Sequence, residues 1–185
     1  EDAFHNILLS LQTILACRKF LVTNQEPYPE LFKLTQPVSI SLELVKAIES
    51  KFDDKGQVRD NASAELGKIR KRIRDEQFRV KRLVDQIFRQ AVGHGWVPEG
   101  SSTTIRDGRL VIPVLAEHKR KLSGFIMDES ATGQTVYMEP SEVLEANNEI
   151  RDLIHADRRE VVKILRELTN LLRINLPQLK GAYQF

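Results

Sequence analysis

The chain of 185 residues is 41% hydrophobic, 29% charged and only 6% aromatic, a globular composition with enough material for one domain. Nine Gly and seven Pro exclude a collagen-like or linker-dominated chain, and no uninterrupted run approaches the roughly 18 apolar residues of a bilayer span, so a soluble chain without a membrane partner is expected. The 28 Lys+Arg and 26 Asp+Glu leave a net +2, too near neutral to mark a nucleic-acid binder by the total, so the distribution of charge has to decide. Cys17 is the single cysteine, which excludes an intrachain disulfide framework and a multi-Cys zinc site and fits a reducing, cytoplasmic compartment. The start at Glu1, with neither a methionine nor a basic-then-apolar leader, reads as a piece of a larger protein.

In chain order, residues 3–22 place Phe4, Ile7, Leu8, Leu11, Ile14, Leu15 and Leu21 at spacings of three and four, which predicts an amphipathic core helix. Pro27 and Pro29 around Tyr28 predict a connector that cannot continue it. A second helix is expected over 41–50 with Leu42, Val45 and Ile48 inward, closed by the turn Asp53-Asp54-Lys55-Gly56. Ser63 reads as an N-cap with Glu65 in the first turn, opening a long helix over 64–92 whose stripe is Leu66, Ile69, Ile73, Val80, Val84, Ile87 and Ala91. Its roughly 29 residues would reach about 43 Å. From Lys68 to Arg89 nine basic residues face three acids, a local +6 that is three times the charge of the whole chain. Gly93-His94-Gly95 ends this helix.

The period then changes to two. Residues 103–106 and 109–114 flank Asp107-Gly108, a strong hairpin signal, and 124–127 and 134–138 flank a loop over 128–133. Pro113 places its strand at an edge or a bulge. A final helix is expected over 141–172. Val143, Asn147, Ile150, Ile154, Asp157, Val161, Ile164, Leu168 and Leu171 step alternately by four and three, a heptad seam interrupted by Asn147 and Asp157, polar residues of the kind that fix register. The expected fold is therefore mainly α: a helical core carrying a long antiparallel coiled-coil lever pair with a small antiparallel β unit at its tip. Its divisions are a helical core segment (1–62), an outgoing lever helix (63–93), a β tip (94–140), and a returning lever helix that re-enters the core (141–185).

No catalytic, cofactor or metal site emerges. His5, His94, His118 and His155 form no i, i+4 pair, and Gly67-Lys68 lacks both the glycine a phosphate loop needs at position 62 and the following Ser or Thr. The Asp53 turn lacks the alternating acids of a calcium loop, and Cys17 reads as a buried, inert thiol. Binding has more support. The basic long helix is one candidate surface, although such faces are commonly just solvated. The β tip is the other: Arg106, Arg109, Lys119, Arg120 and Lys121 cluster near turns, and Gln134 and Thr135, with Ser130 and Thr132, could donate to phosphates without reading bases.

The run Arg109-Leu110-Val111-Ile112-Pro113-Val114, followed by residues 124–140 (GFIMDESATGQTVYMEP), resembles the signature of the bacterial MutS-two family, the MutS paralogues without a mismatch-reading domain. The stretch 60–70 resembles the family's entry into its first lever helix, and 147–151 its return helix, so the resemblance covers nearly the whole chain. Two departures are Ala64, where the family often has Pro, and Leu115, where Lys is expected. The resemblance implies the core, lever and reduced clamp of a larger homodimeric protein, with an ABC-type ATPase domain using ATP and Mg and an Smr nuclease domain elsewhere in that protein. It also implies association with double-stranded or branched DNA in recombination suppression, or with the ribosome and its RNA in rescue of collided ribosomes. By that reading this region is not itself an enzyme and needs no cofactor. It would transmit nucleotide state to clamps whose contacts go to the nucleic-acid backbone, through Arg106, Arg109, Lys119, Arg120, Lys121, Gln134 and Thr135. The alternative is a coiled-coil scaffold for protein interaction or dimerisation, without nucleic-acid contact.

Overall fold

A computed structural model describes residues 2–183; residues 1, 184 and 185, which end two of the expected divisions, lie outside the described residues. The described chain is mostly helical, with five α-helices and one four-stranded antiparallel sheet. It forms two compact units: one holds the described residues up to Lys68 together with those from Arg158 on, and the other is Ile69–Asp157. Two long helices, α4 (Ala64–Gly93) and α5 (Leu144–Tyr183), contribute to both.

In the first unit α1 (Asp2–Thr23) buries Phe4, Leu8 and Leu11. Its opposite face carries Cys17, which is exposed rather than buried, because the apolar stripe that enters the core does not pass through position 17. By length and composition α1 alone among the described helices could cross a membrane, while in the fold Phe4 stacks on Phe52 at 5.8 Å between ring centres. The connector after it is not irregular throughout. Pro29 starts a short helix, α2 (Pro29–Thr35), since at the first helical position its fixed φ helps and its missing N–H is not needed. In α3 (Leu42–Glu49) the Ser41 hydroxyl accepts from the Leu44 N–H at 3.2 Å, and the inward residues are Leu44, Val45 and Ile48. Leu42 instead lies outside, 59% exposed, because at 100° per residue it faces away from the side that Leu44, Val45 and Ile48 bury.

The Asp53 turn is held by its own side chain, whose Oδ1 accepts from the Lys55 and Gln57 amides at 2.9 Å each. Those bonds, the Gln57 amide first, hold the Asp53 carboxyl below the usual carboxylate range. Ser63 caps α4 as its position implies: its Oγ accepts from the Leu66 N–H at 3.0 Å and donates to Glu160 on α5 at 2.8 Å. Leu66 from α4 and Ile164, Leu168, Leu179 and Ala182 from α5 complete this core. The last two lie beyond the expected end at 172, because α5 runs through Pro177. An interior proline costs about 3 kcal/mol, and burial of Leu179 and Ala182 past it offsets that cost.

The second unit contains the sheet, whose strands are β1 (Thr104–Arg106), β2 (Arg109–Leu115), β3 (Gly124–Glu129) and β4 (Thr135–Pro140), in the order β1-β2-β4-β3. Asp107 (φ 50°) and Gly108 (φ 74°) both occupy the left-handed region, as a tight two-residue hairpin requires. β2 is internal to the sheet, yet β1 stops pairing at Val111, so Pro113 is bonded to a strand on one side only. Two residues on, the Leu115 N–H points to that open side and donates to the Trp96 carbonyl at 2.8 Å. Pro113 thus occupies a local edge, where its missing N–H costs no ladder bond.

The loop expected over 128–133 is shorter. Asp128 and Glu129 belong to β3, which skips Met127 in its register against β4, a bulge that keeps both residues paired. β2 and β3 run parallel on either side of β4, so residues 116–123 cross back along the sheet, through a 3₁₀ turn and the buried Leu122. Val80 and Val84 of α4, Ile112, Val114, Val136 and Met138 of the sheet, and Val143 and Ala146 beside and on α5 form the core.

Candidate nucleic-acid interface

Within the second unit α4 and α5 are bridged by side chains. Arg70 donates to Asp157 at 2.8 Å, and Arg72 pairs with Glu149; as numbers rise along α4 they fall along α5, so the helices are antiparallel. Asp157 thus has a structural task, and so does Asn147, whose Nδ2 donates to Glu139 Oε1 at 2.7 Å. Ile154, by contrast, keeps 37% of its surface exposed at a position the heptad pattern assigns to the seam.

The seven residues expected to meet nucleic acid fall into distinct environments. Arg109, at the start of β2, donates to Glu139 Oε2 at 2.5 Å and to Asn148 Oδ1 at 3.0 Å. Glu139 is 1% exposed, and with Asn147 on its other oxygen both carboxylate atoms are satisfied. A buried carboxylate needs this: losing one partner would leave a desolvated charge without compensation. Arg109 therefore ties β2 to β4 and α5. Arg106 lies across the sheet from β1, its Nε donating to Asp128 Oδ2 on β3 at 2.9 Å and its guanidinium 4.3 Å from the centre of the Tyr137 ring on β4.

Lys119, Arg120 and Lys121 are exposed in the crossover, and among the described residues no acid pairs with them. Their backbone is nonetheless fixed, since the Lys119 N–H reaches the Ala116 carbonyl at 3.4 Å and the Lys121 N–H reaches the His118 carbonyl at 2.8 Å. Gln134 is exposed in the turn between β3 and β4, and Thr135, the first residue of β4, is half-buried. The Ala116 N–H donates to the Gln134 carbonyl at 2.9 Å, which fastens the start of the crossover to that turn. The turn is closed by Ser130, whose N–H donates to the Thr135 carbonyl at 2.8 Å and whose Oγ accepts from the Thr135 N–H at 3.1 Å. The Thr135 amide and the Ser130 hydroxyl are thereby engaged within the turn.

Sequence reasoning missed Glu139 and Asn148, the partners of Arg109, and Tyr137, on which Arg106 stacks. The available signal for Glu139 was an acid between Met138 and Pro140 in an otherwise uncharged strand. On α4, Arg70 and Arg72 are engaged with Asp157 and Glu149 of α5, which partly neutralise the +6 stretch, and Arg79 is engaged with Glu76 inside it. Arg82, 5.4 Å from the centre of the exposed Phe78 ring, and Arg89 remain on a groove of that helix with Arg79. Among the described residues no group of three or more His, Cys, Asp or Glu could hold a metal ion.

Sequence similarity makes this chain part of a MutS-family protein. The chain is 39% identical over 152 residues, 82% of its length, to Endonuclease MutS2 of Pelotomaculum thermopropionicum. It is 33% identical over 174 residues, 91% of its length, to Endonuclease MutS2 of a Geobacillus species, and 33% identical over 173 residues, 92% of its length, to that of Lacticaseibacillus casei. It covers 19% to 22% of these relatives, about a fifth of their length. No family model matches the chain. The chain belongs to the MutS2 family and represents a partial region of it.

Proposed function

We propose that this region is a non-catalytic lever and clamp module that contacts the backbone of double-stranded or branched DNA, or of ribosomal RNA, within a cytoplasmic, homodimeric, ATP- and Mg-dependent protein. The observation that carries the reading is the crossover of the second unit: three consecutive cations, unpaired among the described residues, on a backbone fixed by hydrogen bonds. Prepositioned cations without internal partners suit phosphate contact, which gives affinity without reading sequence. α4 and α5 act as a coiled-coil lever that relays the nucleotide state of an ATPase domain to the clamp. Arg109 serves this module by holding the sheet on α5 and Arg106 by bracing it, so Lys119, Arg120 and Lys121 carry the phosphate contacts and Gln134 and Thr135 border them. In the whole protein this action would serve recombination suppression or rescue of collided ribosomes.

Titrating the full chain with linear and branched duplexes at several salt concentrations tests the proposal. Saturable binding that weakens with salt, and weakens further when Lys119, Arg120 and Lys121 become Ala, is expected; absence of binding at low salt overturns it. A second reading, a dimerisation scaffold, is favoured by Ile174, 77% exposed on α5. Concentration-dependent mass that is lost in Ile174→Ser, without any effect of duplex, would select that reading.

A further inference from the structure

The cations of the β tip expected from sequence to bind all lie in the second unit, but the first unit carries a basic face of its own. From Arg158 to Lys180, α5 has six basic residues (Arg158, Arg159, Lys163, Arg166, Arg173 and Lys180) against two acids, Glu160 and Glu167. Their angular placement sharpens this imbalance. At 100° per residue, all but Lys163 fall within a sector about 100° wide, and both acids lie about 80° or more beyond its edge. Lys163 sits outside the sector and is 3.6 Å from Glu160. The five in the sector are exposed, and none is paired with an acid among the described residues. Arg158, Arg159 and Arg166 surround the half-exposed Val162 in a shallow groove.

This arrangement is unrewarded inside the unit. Glu160 could have neutralised the face but is turned inward, where it accepts from the Ser63 hydroxyl at 2.8 Å. The opposite side of α5 is occupied by Ile164, Leu168 and Leu179 in the core, so the basic sector is held outward and cannot roll away. Arg166, Arg173 and Lys180 succeed one another by heptads, about 10.5 Å apart, and the run from Arg158 to Lys180 is about 33 Å long. One turn of duplex measures about 34 Å. Charges spaced near a Debye length repel weakly in salt and attract strongly where a dense line of phosphates replaces the solvent.

We propose that this face of α5 is a second nucleic-acid contact, separate from the crossover cations, that binds the phosphate backbone of a duplex along about one helical turn. Arg158, Arg159, Arg166, Arg173 and Lys180 are its phosphate ligands, and Val162 lets the Arg stems pack where they converge. The contact is blind to sequence, because five cations on a fixed helix meet phosphates and reach no base edge.

The test compares three forms of the full chain on a 30-base-pair DNA duplex from low to moderate salt: the natural sequence, the Arg158/Arg159/Arg166/Arg173→Gln variant, and the Lys119/Arg120/Lys121→Ala variant. Glutamine keeps helix propensity, and thermal denaturation checks folding. Removing one phosphate ligand lowers the slope of log affinity against log salt by about 0.9, so four Gln changes should lower it by about 3 to 4. The same four positions changed to Lys should restore the slope, since charge and not shape is read. The effect should persist in the crossover variant, which separates this surface from that one. An unchanged slope and affinity in a folded Gln variant overturns the proposal. So does a Gln variant that binds duplex normally but loses self-association, which would give the face to a second copy of the chain.

Discussion

Arg109 and Glu139 form a 2.5 Å ion pair between neighbouring strands, with the carboxylate 1% exposed and the guanidinium also bonded to Asn148 on α5. The pair is the polar centre around which β2, β4 and α5 meet. Its partners are exhausted internally, so its first consequence is stability. Arg109→Ala leaves a buried carboxylate held only by Asn147, and breaking such a pair costs roughly 3–5 kcal/mol. The loss should appear as a lowered urea midpoint. Changing both residues to Met should recover much of it, since apolar replacement of a whole buried pair is often neutral or better. If Arg109→Ala leaves the midpoint unchanged while weakening duplex binding, Arg109 is a phosphate ligand and the structural role assigned to it fails.

Asp53 gives a prediction in pH. Its folded carboxyl titrates below its ordinary value of 3.8, chiefly because the Gln57 amide bonds to the charged form. A depressed folded pKa adds stability above the unfolded pKa, and that contribution is lost as pH falls through the folded value. Melting temperature measured from pH 6 down to pH 2 should therefore drop more steeply below about pH 4 in the natural chain than in Asp53→Asn. The variant should be less stable at neutral pH, where it lacks the charged acceptor. Equal slopes for the two would mean that the turn does not depend on the carboxylate.

Local chemistry was the legible part of this chain. Asp107-Gly108 dictates a hairpin because two successive positive φ values admit few other residues, and Ser63 caps α4 because its hydroxyl reaches an amide three residues on. What sequence concealed was partnership at distance. Nothing near Arg109 announces Glu139 thirty residues away, or shows that Arg106 would reach over β4 to Asp128. Pro177 would have ended α5 on local rules, and only the burial of Leu179 and Ala182 shows why the helix continues. Cys17 lay in an apolar segment, but which face of α1 would meet the core was fixed by Phe4, Leu8 and Leu11, whose stripe leaves it outside. For the candidate interface, composition found the cations, while the structure shows which of them have partners, as Arg106 and Arg109 do.

Gly124 tests the sheet itself. A Cβ there would collide with the backbone carbonyl of Glu139, and a carbonyl in a paired strand cannot step aside as a flexible side chain would. Gly124→Ala should force β3 from β4 at the register Gly124–Pro140 and displace Glu139 from Arg109. Hydrogen exchange should then rise at the β3 and β4 amides while α1 and α3 in the other unit keep their protection. Protection unchanged throughout would show that the strand end yields without cost.

The crossover cations carry the last prediction. Lys119, Arg120 and Lys121 are exposed and make no ion pair among the described residues, so their replacement by Ala should shift the melting temperature little. If all three meet phosphates, the slope of log affinity for duplex against log salt should fall by about 2.7, at about 0.9 for each phosphate ligand removed. Arg106→Gln behaves differently: it loses the bond to Asp128 and the stacking on Tyr137, so it should lower stability by about 1 kcal/mol with a small change in slope. The contrast matters more than either value. A slope that falls with Arg106→Gln and stays fixed when the three crossover residues are neutralised would move the contact from the crossover to the open sheet surface.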